Sequence, residues 1–420
     1  MKGSFWLDMS AERIIRNLIH SKGKITFAQF MDIAMFSPES GYYNSSDIWG
    51  VQGDYYTSPM AHPCFGSMLS IQLFQMWALL NKPDPFYVVE LGCGNAILGK
   101  SILSYSRNFS TRFANSLQYI FIDRLTRSAP GSGDNFQYIE SDGMPISNLT
   151  GCFLSNELLD SFPVHRVTVR NGELKEMYVA QRDNELTEII DNLSNPQLEQ
   201  RFTDLNIKLA ENQIAEVNLS VESWLKAISH ALNKGFILTI DYGDLSEHLY
   251  SPDIRFHGSL TTYYKHTQTD NPFSRIGYQD ITAQVDFTSL IQMGTKVGLN
   301  PYFYGTQKRL LDNLGHEMFM KKLVDSQLDR RTTTNNRFGF NSLVDMNGLG
   351  KFKVLIQGKD VGAPHIWASE PDSQLLSLLS NLPFPFMEDD NMPLLDGRYP
   401  GHYSDMYIDD IWQDIIDPSH

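Results

Sequence analysis

Glu90, Asp123, Asp142, Asn156, Glu157 and Asp241 share a setting: each stands at or just past the end of a short run of β-branched and aromatic residues. Packing alone does not readily produce that recurrence. A carboxylate at such a place attracts a cation, or accepts hydrogen bonds from a sugar diol or an exocyclic amine. In "SNELLDSFP", Glu157 and Asp160 are three residues apart, so one helical turn puts them on the same side. Two carboxylates there would hold and orient a planar cationic acceptor. Asp160 also has the plainer use of an acid favoured by a helix dipole. Tyr242 follows Asp241 beside this expected acceptor pocket, and His266, in a polar loop, is a candidate general base. No cysteine pairs with another cysteine or a histidine at ligand spacing, so no metal site is expected.

The elements that must carry these groups begin at "FYVVELGCGNAILGKSIL", 86–103. Its apolar start reads as a buried strand, and Ile97, Leu98, Ile102 and Leu103 recur at helical spacing. Between them Gly92 and Gly94 permit a tight turn and close approach of a ligand. The pattern is not the dinucleotide fingerprint, which needs a third glycine at fixed spacing, and Gly99-Lys100-Ser101 lacks the upstream glycine of a phosphate loop. A ligand without phosphate fits better. S-adenosyl-L-methionine carries a sulfonium and an ammonium for Glu90, a ribose diol for Asp123 and an adenine amino group for Asp142. Asn156 would bind the methionine moiety or fix the loop.

Further strands are expected at 117–123, 136–140, 151–160, 235–243 and 352–358, alternating with helices. This implies an α/β fold with a doubly wound, mostly parallel sheet, Rossmann-like, whose ligands sit at the carboxyl ends of the strands. Residues 10–35 read as two helices joined near Gly23, and 65–80 as a strongly apolar helix. The expected organisation is an N-terminal helical and lid region, 1–80, then a core at 81–163 and 234–358. An inserted α+β subdomain takes 164–233, with a hairpin turning at Asn171-Gly172, and an acidic, proline-containing extension takes 359–420. The chain has 420 residues, a formal net charge of −15 and three cysteines. The charge disfavours nucleic acid as a partner, sparse cysteine fits a reducing compartment, and no apolar run has the length of a membrane span.

Several blocks in order resemble the MidA-type methyltransferases, the family that includes the mitochondrial complex I assembly arginine methyltransferase. They are "ITFAQFMDIAMFSPESGYY", "GDYYTSPMAHPCFG", "VVELGCGNAIL", "SNELLDSFPV", "IDYGD", "LTTYYKH", "DITAQVDF", "GTQKRLL" and "FKVL", spanning about 20 to 358. Cys93 stands where the family has proline, Ala96 where it has glycine, and Asp123 where it has glutamate. The resemblance implies the class I methyltransferase fold, S-adenosyl-L-methionine as cofactor, and Gly53, Asp54, Thr57 and Ser58 as its cover. It implies methyl transfer to an arginine of a protein. The other readings are a methyltransferase of a small molecule or carrier-bound intermediate, and an assembly factor that keeps the pocket without turnover. Acceptors are thus a protein or a small molecule, and a homodimer stays open. The expected location is cytoplasmic, with the mitochondrial matrix as the alternative for a processed N-terminus.

Overall fold

A computed structural model describes residues 10–44, 57–124, 132–264 and 267–387. Seven of its segments pair into one sheet: β1 (Phe86–Leu91), β2 (Leu117–Asp123), β3 (Phe136–Glu140), β4 (Leu149–Asn156), β5 (Leu232–Asp241), β6 (Asn300–Thr306) and β7 (Lys353–Lys359). Their order is β3-β2-β1-β4-β5-β7-β6. Strands β1 to β5 are parallel, and β7 runs antiparallel to both β5 and β6. Both faces are covered, which is why β1 reads as a continuous apolar run. Phe86 and Val88 enter one core with the helices Cys64–Leu79 and Ile97–Ser106. Val89 and Leu91 enter the other with Ser220–Ala231 and Phe287–Lys296. Each such side chain stabilises the fold by roughly 1.5–3 kcal/mol of transfer free energy. The doubly wound, mostly parallel architecture is the one the strand–helix alternation implies.

A second sheet contains His165–Arg170, Glu173–Arg182, Glu185–Asp191 and Ile214–Val217, with Ile25–Thr26 added at one edge. Asn171 (φ 54°) and Gly172 (φ 77°) make its tight turn, because both central positions of that turn need positive φ. The helices Ala11–Lys22 and Phe27–Phe36 bury Ile15, Ile19 and Phe30 against Val164 and Val179, so they ride on this second sheet. Thr26 and Gln29 close a capping box at the start of the second helix.

From residue 360 to 387 the chain wraps the body. The backbone N–H groups of Trp367 and Ala368 donate to Gln75 Oε1 (2.9 Å) and Gln72 Oε1 (3.0 Å). The helix Ser373–Asn381 buries Leu375 and Leu379 in the first core. The Met387 N–H reaches Asn336 Oδ1 at 2.9 Å. No described helix is long and apolar enough to cross a membrane.

Candidate active site

Strands β1 and β4 are neighbours, yet the chain leaves β1 toward β2 on one side and β4 toward β5 on the other. Such a switch in strand order opens a crevice at the carboxyl ends. Gly92 (φ 68°) and Gly94 (φ 51°) form the turn that lines it. The left-handed backbone at Gly92 favours glycine, and a Cβ there would lie 2.7 Å from Leu158 Cδ1, whose side chain would have to shift. The Gly92 N–H donates to the Ile122 carbonyl at 2.9 Å, and the Gly94 N–H to Asp123 Oδ2 at 2.9 Å. The Asp123 carboxylate is therefore pinned over the turn.

Glu90 points the other way. Its carboxyl lies beneath the helix Ile97–Ser106, accepts the Tyr119 hydroxyl at 2.8 Å and meets the Gly99 N–H. Burial pushes its pKa up to about 8. Gly99 lets that helix approach β2, since a Cβ there would sit 2.3 Å from the Phe121 ring. Close helix packing is the task of the missing third glycine, and Gly99 performs it from a different position. Cys93 is packed in the core. Asp142 stands apart on the exposed rim, paired with Arg124 Nε at 3.3 Å, and the Arg124 guanidinium lies 4.4 Å over the Phe36 ring.

On the β4 side, Glu157 takes φ 50° and its N–H donates to the Ile240 carbonyl at 2.8 Å. Left-handed backbone at a non-glycine residue is uncommon and marks a position held by its surroundings. Asn156 Nδ2 donates to Glu157 Oε1 at 2.9 Å, and the Ser58 N–H also faces that carboxyl. Asn156 Oδ1 is buried without a partner. Burial, then the neighbouring Asp160, raises Glu157 to about 8. Asp160 sits in the single 3₁₀ turn Leu159–Ser161 that replaces the expected helix. Burial raises it to about 6, partly offset by the Tyr242 hydroxyl, and its Oδ1 has no partner. Tyr242 packs edge-on against Phe352 at 4.8 Å.

The turn is fixed by Asp241, which is fully buried at the end of β5. It accepts the N–H groups of Leu158 (3.1 Å), Leu159 (2.8 Å) and Tyr242 (2.9 Å). Burial and the charges of Asp160 and Glu157 hold its pKa well above the usual range. Thr57 and Ser58 are buried at the start of the helix Ser58–Ala61, and Ser58 Oγ donates to Gln307 Oε1 at 3.0 Å. Gly53, Asp54 and His266 lie outside the described residues. The fold thus gathers Gly92, Gly94 and Asp123 on one side of the crevice and Ser58, Asn156, Glu157, Asp160 and Tyr242 on the other. Two further groups, Tyr263 and Asp280, share the charge environment of Asp160. The only sequence signal for them is the density of polar and aromatic residues between β5 and the helix Phe287–Lys296.

Comparison with known proteins places the chain among relatives of one family and fold. Residues 68–305 match the family described as "Putative S-adenosyl-L-methionine-dependent methyltransferase". Over 393 residues the chain is 23% identical to a mitochondrial protein arginine methyltransferase NDUFAF7 homolog of Drosophila melanogaster, covering 85% of this chain and 86% of that protein. Over 369 residues it is 25% identical to the mitochondrial protein arginine methyltransferase NDUFAF7 of Homo sapiens, covering 79% of each. A crystal structure from Burkholderia thailandensis bound to S-adenosyl-homocysteine has the same fold, with a TM-score of 0.74, 22% identity, and coverage of 87% of this chain and 96% of that one.

Proposed function

Since this chain belongs to the S-adenosyl-L-methionine-dependent methyltransferase family matched across residues 68–305, we propose that its acceptor is the guanidinium of an arginine in a protein. The observation that carries this reading is the buried, partnerless Asp160 Oδ1 beside Glu157, on a turn that Asp241 holds rigid. A buried carboxyl oxygen lacking a partner is costly unless a donor arrives. Relatives named as protein arginine methyltransferases support the same acceptor.

The residues fit the cofactor. Asp123, with Oδ2 2.9 Å from the Gly94 N–H, would accept from the ribose hydroxyls. Gly92 and Gly94 would leave room for the ligand along the turn. Asp142 on the rim would accept from the adenine amino group, and the partnerless Asn156 Oδ1 would accept from the ammonium. Glu90 would support the turn from below as a neutral carboxyl. Thr57 and Ser58 would close the cover and exclude water. The bound cofactor supplies an electrophilic methyl group. Glu157 and Asp160 would hold the guanidinium in plane, and one of them would take up the proton lost as its nitrogen is alkylated. The relatives' mitochondrial names favour the mitochondrial alternative for location over the cytoplasmic one.

The test is incubation with isotopically labelled S-adenosyl-L-methionine and mitochondrial protein extract, followed by amino-acid analysis of the labelled proteins. Methylarginine formed by the wild type and lost in Glu157→Gln supports the reading. Label confined to small molecules, or turnover unchanged in Glu157→Gln, overturns it.

A further inference from the structure

The acceptor side of the crevice has a second wall. The strand Thr261–Tyr264 pairs antiparallel with Asp280–Thr282, with Tyr263 opposite Asp280. The Ala283 N–H donates to the Asp160 carbonyl at 3.0 Å, which ties this small sheet to the turn bearing Asp160. Asp280 is 3% exposed. The Tyr263 hydroxyl is raised by burial and then by the charges of Asp160, Asp280 and Glu157. Tyr242 is raised by burial and then by Asp160, Glu157 and Asp280. Groups from four separate stretches of chain therefore lie close enough to share one charge environment. Among the described residues, no lysine or arginine is one of the neighbours that shift Glu157, Asp160, Asp241, Tyr242 or Tyr263. Asp160 Oδ1, in a residue 4% exposed, has no partner among the described residues. Asp241 is occupied by three backbone N–H groups and serves as the floor.

Building on the arginine reading, we propose that Tyr263 and Asp280 complete a cation box with Glu157, Asp160 and Tyr242, so that the incoming guanidinium is gripped from both walls. Carboxylates on opposite edges suit a planar, forked donor better than a single-point ammonium. Tyrosine rings add attraction for a desolvated cation. Asp280 and Tyr263 are positioning residues: they bind the acceptor, whereas proton uptake belongs to the Glu157–Asp160 pair. Because burial holds Glu157 at about 8 and Asp160 at about 6, the empty box carries a proton at neutral pH that a bound cation expels.

The experiment is titration calorimetry at pH 7 with S-adenosylhomocysteine present, using Nα-acetyl-arginine amide as probe and Nα-acetyl-lysine amide as comparator. Two buffers of different ionisation enthalpy report proton release. The wild type is expected to prefer the arginine probe and to release a proton on binding it. Asp280→Asn and Tyr263→Ala are each expected to weaken the probe about tenfold, as for loss of a hydrogen bond to a charged group, with S-adenosylhomocysteine affinity unchanged as the check on folding. Probe affinity within about twofold of wild type in both variants, below the loss of one such contact, overturns the box. So does failure of either cation to bind the wild type. Preference for the lysine probe, with both variants impaired, upholds the box and overturns the arginine reading.

Discussion

Replacing Asp123 tests how the glycine turn and the second strand end cooperate. Its Oδ2 accepts the Gly94 N–H at 2.9 Å, so on the proposed assignment one carboxylate would both order the turn and meet the ribose. A hydrogen bond to a charged group contributes about 1.5–3 kcal/mol. Asp123→Asn keeps one acceptor oxygen and loses the charge, which costs about 1.5 kcal/mol, or about tenfold in affinity. Asp123→Ala loses both ribose contacts and loosens the turn, which costs about 3–4 kcal/mol, or some ~10²–10³-fold. Calorimetry with S-adenosylhomocysteine reads this without turnover. The 2′-deoxy analogue adds a coupling test: it should bind weakly to the wild type, while in Asp123→Ala the missing hydroxyl should matter little. Equal penalties for the deoxy ligand in both proteins, or Asp123→Ala binding within about twofold of wild type when one lost contact predicts more, would refute the ribose assignment.

Glu157→Gln should lower turnover about a hundredfold, within the range for removal of a proton-accepting group, while calorimetric affinity for S-adenosylhomocysteine stays the same. Glu90 should make stability depend on pH. Its pKa rises from 4.5 to about 8 on folding, so the native state holds the extra proton between those values and stability falls as pH rises through that window. Urea unfolding at pH 5 and pH 8.5 should show Glu90→Gln removing a loss of a few kcal/mol, at about 1.4 kcal/mol per pKa unit; identical pH dependence in the two proteins would contradict the buried-carboxyl description. Gly99→Ala should destabilise by about 1–3 kcal/mol in the same assay through overpacking against Phe121 and Tyr119.

Much of this was legible because a parallel sheet writes itself plainly. A strand buried on both faces is a near-continuous apolar run, so β1, β2, β4 and β5 stand out, and their polar ends mark one rim. Strand β6 does not, since "NPYFYGT" contains a proline, lies at the sheet edge and is half-exposed. The helix Arg330–Ser342 is hidden by its own composition, "RRTTTNNRFGFNS", and is held by one buried ring, Phe340 in the first core, and by Asn336 with His62 at 3.1 Å. Residue types placed acids at the crevice but gave no direction to them. Glu90 turns inward because alternation along β1 puts it on the face of Phe86 and Val88, and Asp241 is used up by backbone amides. Tyr263 and Asp280 come near Asp160 through a small sheet formed after β5 and tied to the Asp160 carbonyl by the Ala283 N–H, and no local pattern encodes that proximity in sequence.

A crystal structure of the protein with S-adenosylhomocysteine tests the central claim most directly. The ribose hydroxyls should meet the Asp123 carboxylate, with the ligand's sulfur turned toward Glu157 and Asp160. A ligand bound away from the β1–β4 crevice, or one whose sulfur faces away from those two carboxyls, would contradict it.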